Sequence, residues 1–253
     1  MRLTRCFVDA PLASQTVLRL PAGPSAHISK VLRLRAGAML SVFDGRGGEF
    51  EAQILAIERD GVQVRVGAHD PIEREAPLAV TLLQCLARAE RMDWIAQKAT
   101  ELGVTAIVPV ASAHSVVRLD ESGAQRRASH WQAVAISACE QCGRNRVPAL
   151  QSAMSFERAC AEASGGSARL MLDPQAAQTL TSAVRALSAA ALNPALSLLI
   201  GPEGGFSAPE RATAMHSGFI PCTLGPRILR AETAPLVALA AIQAVLGDFA
   251  WRD

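Results

Sequence analysis

The sequence is poor in lysine and in aromatic residues. Only Lys30 and Lys98 of its 25 basic residues are lysine, there is no tyrosine, and aromatic residues make up 4% of the 253-residue chain. Proteins that bind many unpaired bases stack them on aromatic side chains, so we do not expect that mode of nucleic-acid binding. The abundant arginine suits phosphate and base-edge contacts, but a GC-rich genome also encodes much arginine, and we attribute most of it to codon usage.

Long apolar runs and clusters of metal ligands are also missing. The best apolar run, residues 237–246, is interrupted by Gln243 and is shorter than the roughly 20 residues of a membrane helix. The N-terminal stretch MRLTRCFVDA has no apolar signal segment, so we expect a cytoplasmic protein that does not contact membranes. Cys139 and Cys142 have CxxC spacing, but no second pair or nearby histidine completes a zinc site. We therefore expect thiols on a helix and no metal.

What remains is an ordinary globular composition. Half of the residues are hydrophobic, 19% are charged, and the formal net charge is +2. A chain of this length can bury the core of one large domain or of two smaller ones. The small net charge by itself argues neither for nor against nucleic-acid binding.

Residues 1–72 have the pattern of a small β-domain. The stretch MLSVFDGRGGEFEAQILAIERDGVQVRVG consists of short β-branched or aromatic segments separated by Asp-Gly and Gly-Gly pairs, which are hairpin signals. The preceding stretch SAHISKVLRLRAG offers four apolar residues as one helix face: Ile28, Val31, Leu32 and Leu34. We predict a β-barrel with one helix, followed by a charged, proline-bracketed linker over residues 69–77.

Residues 73–253 change to an alternation of strands and helices. Continuous apolar segments (PLAVTLLQCLA, VTAIVPV, RLMLD, SLLIG and FIPCTLG) alternate with amphipathic stretches. Strands that are apolar throughout are typical of a parallel sheet covered by helices on both faces. We therefore predict an α/β domain.

One strand of this domain ends in an unusual loop, SLLIGPEGGFSAPE. Ser207 and Glu210 have the spacing of a capping box, so the strand ends at Ile200, the loop follows, and a helix begins behind it. Ligands of α/β proteins bind beyond the carboxyl ends of the strands, where glycines allow close backbone approach. The loop has no basic residue and no GxxxxGK[ST] motif, and Glu203 would repel an anion, so a neutral or cationic ligand fits better than a polyphosphate. Taken alone, the loop could also be a simple tight turn.

A second strand ends in the same way, in the stretch CTLGPRILRAETAPLVALAAIQAVL. It breaks at Gly225-Pro226, continues as Arg-x-x-Arg-x-Glu, and enters a helix at Thr233 with Pro235 in the first turn. Two strands that end in similar Gly-Pro loops predict one site with two walls.

The pair IGPEGGFSAPE and LGPRILRAETA resembles the C-terminal signature of the SPOUT superfamily of α/β methyltransferases. More narrowly, it is similar to the ribosomal RNA small subunit methyltransferase E family. The stretches HISKVLRLRAG, VFDGRGGEFEAQI, AERMDWIAQKATELGVTAIVPV and WQAVAISACEQCGRNRVP extend the resemblance over nearly the whole chain. It implies a PUA-like RNA-binding barrel at the N-terminus, a SPOUT α/β domain tied in a deep trefoil knot, and a homodimer. It further implies S-adenosylmethionine-dependent methylation of N3 of one uridine in 16S ribosomal RNA, with the assembled small subunit as the expected substrate.

The implied cofactor site fits the chemistry of the two loops. S-adenosylmethionine carries a sulfonium cation and no phosphate, so a glycine loop without basic residues suits it. Glu203 has two possible roles, which are binding of ribose hydroxyls and bracing of the loop. The residues that the resemblance implies for the cofactor are Leu172, Ile200, Gly201, Glu203, Gly205, Leu224, Gly225, Ile228 and Leu229.

Methylation of uridine N3 requires its anion, since N3 is protonated at neutral pH, and in-line alignment with the methyl group. We expect Arg230 to stabilise negative charge on a uracil carbonyl oxygen. Glu232 is the nearest candidate base, and a charge that complements the helix dipole is an equally good interpretation.

Basic residues in three stretches are candidates for RNA contact. Four or so clustered cations suffice for salt-dependent phosphate binding but not for sequence readout, so specificity would come from the shape of the folded ribosomal RNA. For each residue taken singly, a solvated surface charge is the alternative. The candidates are His27, Lys30, Arg33, Arg88, Arg91, Arg144 and Arg146.

Two other functions remain open. Ribose 2′-O-methylation is a sister chemistry of the same fold, and only the whole-chain resemblance favours uridine N3. A non-catalytic RNA-binding factor is the second alternative, which the intact GPEGG and LGPRILRAET loops argue against.

Overall fold

The computed structural model describes residues 3–115, 121–163, 168–188 and 195–249. The chain divides into two units. The first comprises residues 1–75 together with 136–147, and the second comprises residues 76–135 together with 148–253. None of the helices within the described ranges is long and apolar enough to cross a membrane.

A five-stranded sheet forms the first unit. Its strands are β1 (Arg5–Phe7), β2 (Val17–Arg19), β3 (Met39–Phe43), β4 (Glu49–Glu58) and β5 (Gly61–Asp70), in the order β1-β3-β4-β5-β2. β1 pairs with β3 in parallel, and the other pairings are antiparallel. Alternate residues of β4 and β5, such as Ala52, Ile54, Val62 and Val64, point into one apolar core.

The helical part of this unit differs from the prediction. Helix α1 (Ala22–Ala26) runs directly into a π-helical turn, His27–Val31. Ile28 is buried and Leu32 and Leu34 pack against the core, as predicted, but Val31 is 67% exposed. Its placement on the core face was wrong because the wider π turn, closed by the bond from Leu32 N to His27 O, moves Val31 off the 3.6-residue face.

A seven-stranded parallel sheet organises the second unit, as the continuous apolar segments predict. It consists of β6 (Val80–Cys85), β7 (Ala106–Ala111), β8 (Ala149–Leu150), β9 (Met154–Ser155), β10 (Ala168–Leu172), β11 (Leu196–Ile200) and β12 (Ile220–Cys222). The strand order is β12-β10-β11-β6-β7-β8, and β9 also pairs with β7. β10 therefore lies between β11 and β12, and the carboxyl ends of these three strands are neighbours.

Helices pack on both faces of this sheet. They are α2 (Ala89–Glu101), α3 (Glu121–Cys142, which continues into the first unit), α4 (Phe156–Glu162), α5 (Leu180–Ser188), α6 (Ala208–His216) and α7 (Ala234–Leu246). Leu198 of β11 faces a core with Ile95 and Leu239, whereas the next residue, Leu199, faces a second core with Phe156 and Phe206. The predicted α/β architecture with two covered faces is thus confirmed.

Candidate active site

A cavity lies where β10, β11 and β12 end side by side. About 750 Å³ of space free of protein atoms lies within and at the mouth of this cavity, part of it open to solvent. Gly225, whose φ of +109° lies in the left-handed region, is the one predicted cofactor residue outside its lining. The eight predicted residues that line the cavity are Leu172, Ile200, Gly201, Glu203, Gly205, Leu224, Ile228 and Leu229.

The loop after β11, residues 201–207, is held by hydrogen bonds at Gly205 and at its junction with α6. Gly205, with a φ of +69°, donates its N–H to Pro202 O at 2.9 Å. Ser207 and Glu210 form the predicted capping box at the start of α6. Glu210 is buried, and its second carboxylate oxygen accepts a bond from Ala113 N at 2.7 Å. This loop is a preformed wall of the cavity.

The loop after β12, residues 223–233, has more exposed side chains, among them Arg227, Ile228 and Arg230. Thr223 Oγ1 accepts from Gly225 N at 3.2 Å, and the backbone of Arg230 accepts from Thr233 N at 2.9 Å. Thr233 precedes α7, and a proline occupies the first turn as predicted, although the Thr233 side chain makes no capping bond. Ile228 is 86% exposed.

Three charged residues meet beside the cavity. The guanidinium of Arg91, on the first turn of α2, is hydrogen-bonded to Glu203 Oε1, and its Nε lies 3.5 Å from Glu232 Oε2. Glu203 belongs to the loop after β11 and Glu232 to the loop after β12. One cation therefore contacts an acidic residue of each wall.

The two predicted catalytic residues differ in their surroundings. The side chain of Arg230 is exposed, and it has no hydrogen-bonded or ionic partner within the described part of the chain. Glu232 is mostly buried and faces Arg91. Arg230 is thus free to contact a substrate, whereas Glu232 already has a cation beside it.

The family follows from comparison with known proteins. A model of the RNA methyltransferase domain matches residues 74–243, and one of the RNA methyltransferase PUA domain matches residues 25–67. The ribosomal RNA small subunit methyltransferase E of Buchnera aphidicola subsp. Schizaphis graminum is 31% identical over 247 residues, 98% of either chain. This chain belongs to the ribosomal RNA small subunit methyltransferase E family.

Solved structures agree with that membership. A Neisseria gonorrhoeae ribosomal RNA small subunit methyltransferase E bound to S-adenosylmethionine is 35% identical, with a TM-score of 0.87 over 98% of this chain and all of the other. A Legionella pneumophila methyltransferase solved with the same cofactor is 34% identical, with a TM-score of 0.90 at the same coverage. The predicted family and fold class, with a PUA-like N-terminal domain, are confirmed.

Several residues that line the cavity were not predicted from the sequence. Asp173 is buried, accepts a bond from Gln175 N at 3.0 Å, and lies 3.3 Å from Arg211 Nε. The strand-end sequence Leu172-Asp173-Pro174 is a signal that could have found it. Arg227 lies in the quoted second loop, but its place in the lining depends on how that loop turns.

Cys222 also lines the cavity, at the end of β12. Burial raises the pKa of its thiol to about 11. The thiol is therefore neutral at physiological pH and adds apolar surface rather than a nucleophile. Within the described ranges, no group of three or more His, Cys, Asp and Glu residues is arranged to hold a metal ion.

The basic residues predicted for RNA contact fall into different environments. Lys30, Arg33 and Arg88 are exposed, and Arg33 has a φ of +52° in the loop after the π turn. His27 is half-buried, with Nε2 4.0 Å from Glu140 Oε2. The exposed members are open to a phosphate, and Arg91 is instead part of the charged cluster beside the cavity.

Arg144 and Arg146 both belong to the first unit and both face acidic residues. Arg144 is only 4% exposed and binds Glu75 through Nε at 2.9 Å and Nη2 at 2.6 Å. A phosphate contact by Arg144 would require this buried pair to open. Arg146 is exposed, and its Nε lies 3.2 Å from Glu73 Oε2.

Proposed function

We propose that this chain is an S-adenosylmethionine-dependent methyltransferase that methylates N3 of a specific uridine in 16S ribosomal RNA of the small subunit. The observation that carries the proposal is the single cavity that the GPEGG and LGPRIL loops form with Leu172 at three adjacent strand ends. Family membership and the cofactor-bound structures of relatives support the same activity.

The residues of the cavity fit the cofactor. Leu172, Ile200 and Leu224 offer apolar surface for adenine, and the loop glycines let backbone amides approach. Glu203 is a lining carboxylate that suits a ligand with a positive centre. When bound, S-adenosylmethionine supplies a methyl group activated by its sulfonium.

The chemistry assigned to the chain itself is charge stabilisation and alignment. Arg230, exposed beside the cavity and without a partner in the described residues, is placed to stabilise negative charge on a uracil carbonyl oxygen. That contact favours the N3 anion, which is the reactive form. Glu232 is the weaker candidate for a catalytic role, because Arg91 already lies beside its carboxylate.

The partners follow from the two units and their surfaces. The PUA-like unit and the exposed basic residues Lys30, Arg33, Arg88 and Arg146 are proposed to bind phosphates of the small subunit. We also propose a homodimer, supported by the exposed Ile228 and by Val237 on α7, a helix with no charged residue. The deep trefoil knot and a cytoplasmic location, where ribosomes are assembled, belong to the same proposal.

The test uses small subunits from cells that lack this gene. Purified protein is incubated with them and with S-adenosylmethionine labelled in its methyl group, and the RNA is digested to nucleosides for mass spectrometry. Label in 3-methyluridine is the expected result. Naked 16S RNA, assayed in parallel, determines whether assembly of the subunit is required.

Other outcomes would reject the proposal in distinct ways. Label in a 2′-O-methyl nucleoside would assign the sister chemistry on ribose. Absence of label together with absence of S-adenosylmethionine binding would leave an RNA-binding factor without catalysis.

A further inference from the structure

Arg91 lies on a rigid part of the second unit. It occupies the first turn of α2, where Arg88 O accepts bonds from Arg91 N at 2.9 Å and from Met92 N at 3.1 Å. Met92 and Ile95, on the same helix, are fully buried in the core. The guanidinium of Arg91 therefore extends from a backbone that the core holds in place, and it can fix the side chains that it contacts.

Its two contacts come from the two loops that form the cavity. Glu203 is the second residue after Gly201 in one loop, and Glu232 is two residues before α7 in the other. The three side chains are between about one quarter and one third exposed, at 25% for Arg91, 31% for Glu203 and 23% for Glu232. Ion pairs with this much burial are less weakened by solvent than surface pairs.

Glu232 depends on Arg91 in particular. Its Oε2 has no accessible surface and no hydrogen-bond partner within the described residues, and the nearest cationic nitrogen is Arg91 Nε at 3.5 Å. A buried carboxylate oxygen without a compensating charge costs free energy. The arginine therefore stabilises the position of Glu232, and through it the start of α7.

We infer that Arg91 is a positioning residue that fixes both walls of the cofactor cavity through Glu203 and Glu232, rather than an RNA contact. The inference rests on the proposed function, because the cavity is taken to hold S-adenosylmethionine. It also makes Glu232 an ion-pair partner of Arg91 rather than the base that removes the N3 proton of uridine. Arginine suits this role, since its planar fork donates in two directions at once, whereas lysine is a point charge.

The test measures S-adenosylmethionine binding by calorimetry in the absence of RNA. Arg91→Gln is expected to raise the Kd about 10-fold and Arg91→Lys by less, because lysine keeps the charge but not the fork. The KM for the cofactor should rise in parallel, while the KM for small subunits stays within about 2-fold. Thermal melting of each variant shows whether it is folded.

A double-mutant cycle separates a role through the carboxylates from general damage. Glu203→Gln and Glu232→Gln are made singly and together, each time with and without Arg91→Gln. If Arg91 acts through these partners, its loss adds less than about 2-fold to the Kd once both carboxylates are gone. Should Arg91→Gln be unfolded, Arg91→Lys in the same cycle gives the coupling.

Arg88 provides a matched control three positions earlier. It is exposed, and its side chain has no partner in the described residues. Arg88→Gln should leave the cofactor Kd unchanged, raise the KM for subunits, and lower the salt dependence of subunit binding by about one phosphate contact.

Three results decide the matter. If Arg91→Gln behaves like Arg88→Gln, Arg91 is an RNA contact and the inference is overturned. Fully additive effects in the cycle overturn it as well, since Arg91 would then act independently of the two carboxylates. If the wild-type protein binds no S-adenosylmethionine, the proposed function fails. If the wild type binds the cofactor and the Arg91 variants bind it equally well, only the inference about Arg91 fails.

Discussion

The loop after β11 is held by hydrogen bonds at Gly205 and at its junction with α6, whereas the loop after β12 carries the exposed side chains of Arg227, Ile228 and Arg230. In the first loop, Gly205 is bonded on both sides, to Pro202 O and to the ring of His114, and the buried Glu210 closes the helix start. In the second loop, Ile228 is the most exposed large apolar residue of the described chain, and Arg230 points to solvent.

This difference indicates that the two walls of the cavity have different roles. A wall that is already bonded fixes the shape of the cavity at no further entropic cost when a ligand binds. A wall with exposed apolar and cationic groups gains contacts only when cofactor, substrate or a second subunit covers it. Mutations of the groups that hold the first loop in place should therefore act mainly on folding, and mutations of the exposed side chains of the second loop on binding and turnover.

The largest effect is expected for Arg230→Ala, in the exposed loop. Loss of a cation that stabilises developing charge on the uracil should lower kcat for subunit methylation about 100-fold, a typical cost for removing such a group. The cofactor Kd and the melting temperature should stay close to wild type. Quench-flow or timed incorporation of labelled methyl into 3-methyluridine measures the rate.

Arg227→Ala is the control for Arg230, because Arg227 is an exposed arginine of the same loop that lines the cavity. It should affect cofactor binding more than kcat. If both variants lower kcat equally, the second loop acts by its overall charge, and the specific role of Arg230 is wrong.

Glu210→Ala should have the next largest effect, and it should act on stability. The carboxylate accepts bonds from Ser207 N at 2.9 Å, Ser207 Oγ at 2.8 Å and Ala113 N at 2.7 Å. Its removal takes away three hydrogen bonds at a part-buried helix start, which should lower the free energy of unfolding by about 2 kcal/mol. Urea denaturation followed by circular dichroism measures the change.

Glu157→Ala is the matched control, since Glu157 lies in the first turn of α4 behind the cap Ser155 but is exposed. It should change the free energy of unfolding by less than about 0.5 kcal/mol. Equal losses at the two positions would mean that the first loop is not specially fixed, and the contrast between the walls would disappear.

Local patterns in the sequence were enough to predict much of this site. The capping box at Ser207 and Glu210 and the helix start at Thr233 depend on residues three or fewer positions apart, so their spacing alone identifies them. The apolar strands predict the parallel sheet, and a parallel sheet brings the ends of its strands to one edge. For the same reason, most predicted cofactor residues meet in one cavity.

The contacts of the arginines could not be predicted in this way. Arg91 and Glu203 are 112 positions apart, and Arg144 and Glu75 are 69 apart, so only the folded topology brings them together. A charge pattern cannot distinguish an exposed arginine from one that pairs with a distant carboxylate. For the same reason it cannot distinguish an arginine that contacts RNA from one that positions a loop. Val31 was misplaced for a local reason, because a π turn has no clear signal in apolar periodicity.

The smallest effect is expected for Ile228→Ser, which tests the exposed second loop without changing the stability of the fold. An isoleucine that is 86% exposed contributes almost nothing to the folded monomer, so urea denaturation should show a change below about 0.5 kcal/mol. If bound cofactor covers this side chain, the loss of apolar contact should raise the S-adenosylmethionine Kd about 3- to 5-fold. If a second subunit covers it instead, sedimentation should show weaker self-association, with the cofactor Kd of the dissociated chain unchanged. A variant that alters none of these quantities would show that Ile228 is exposed without function, and the second loop would then act through Arg230 alone.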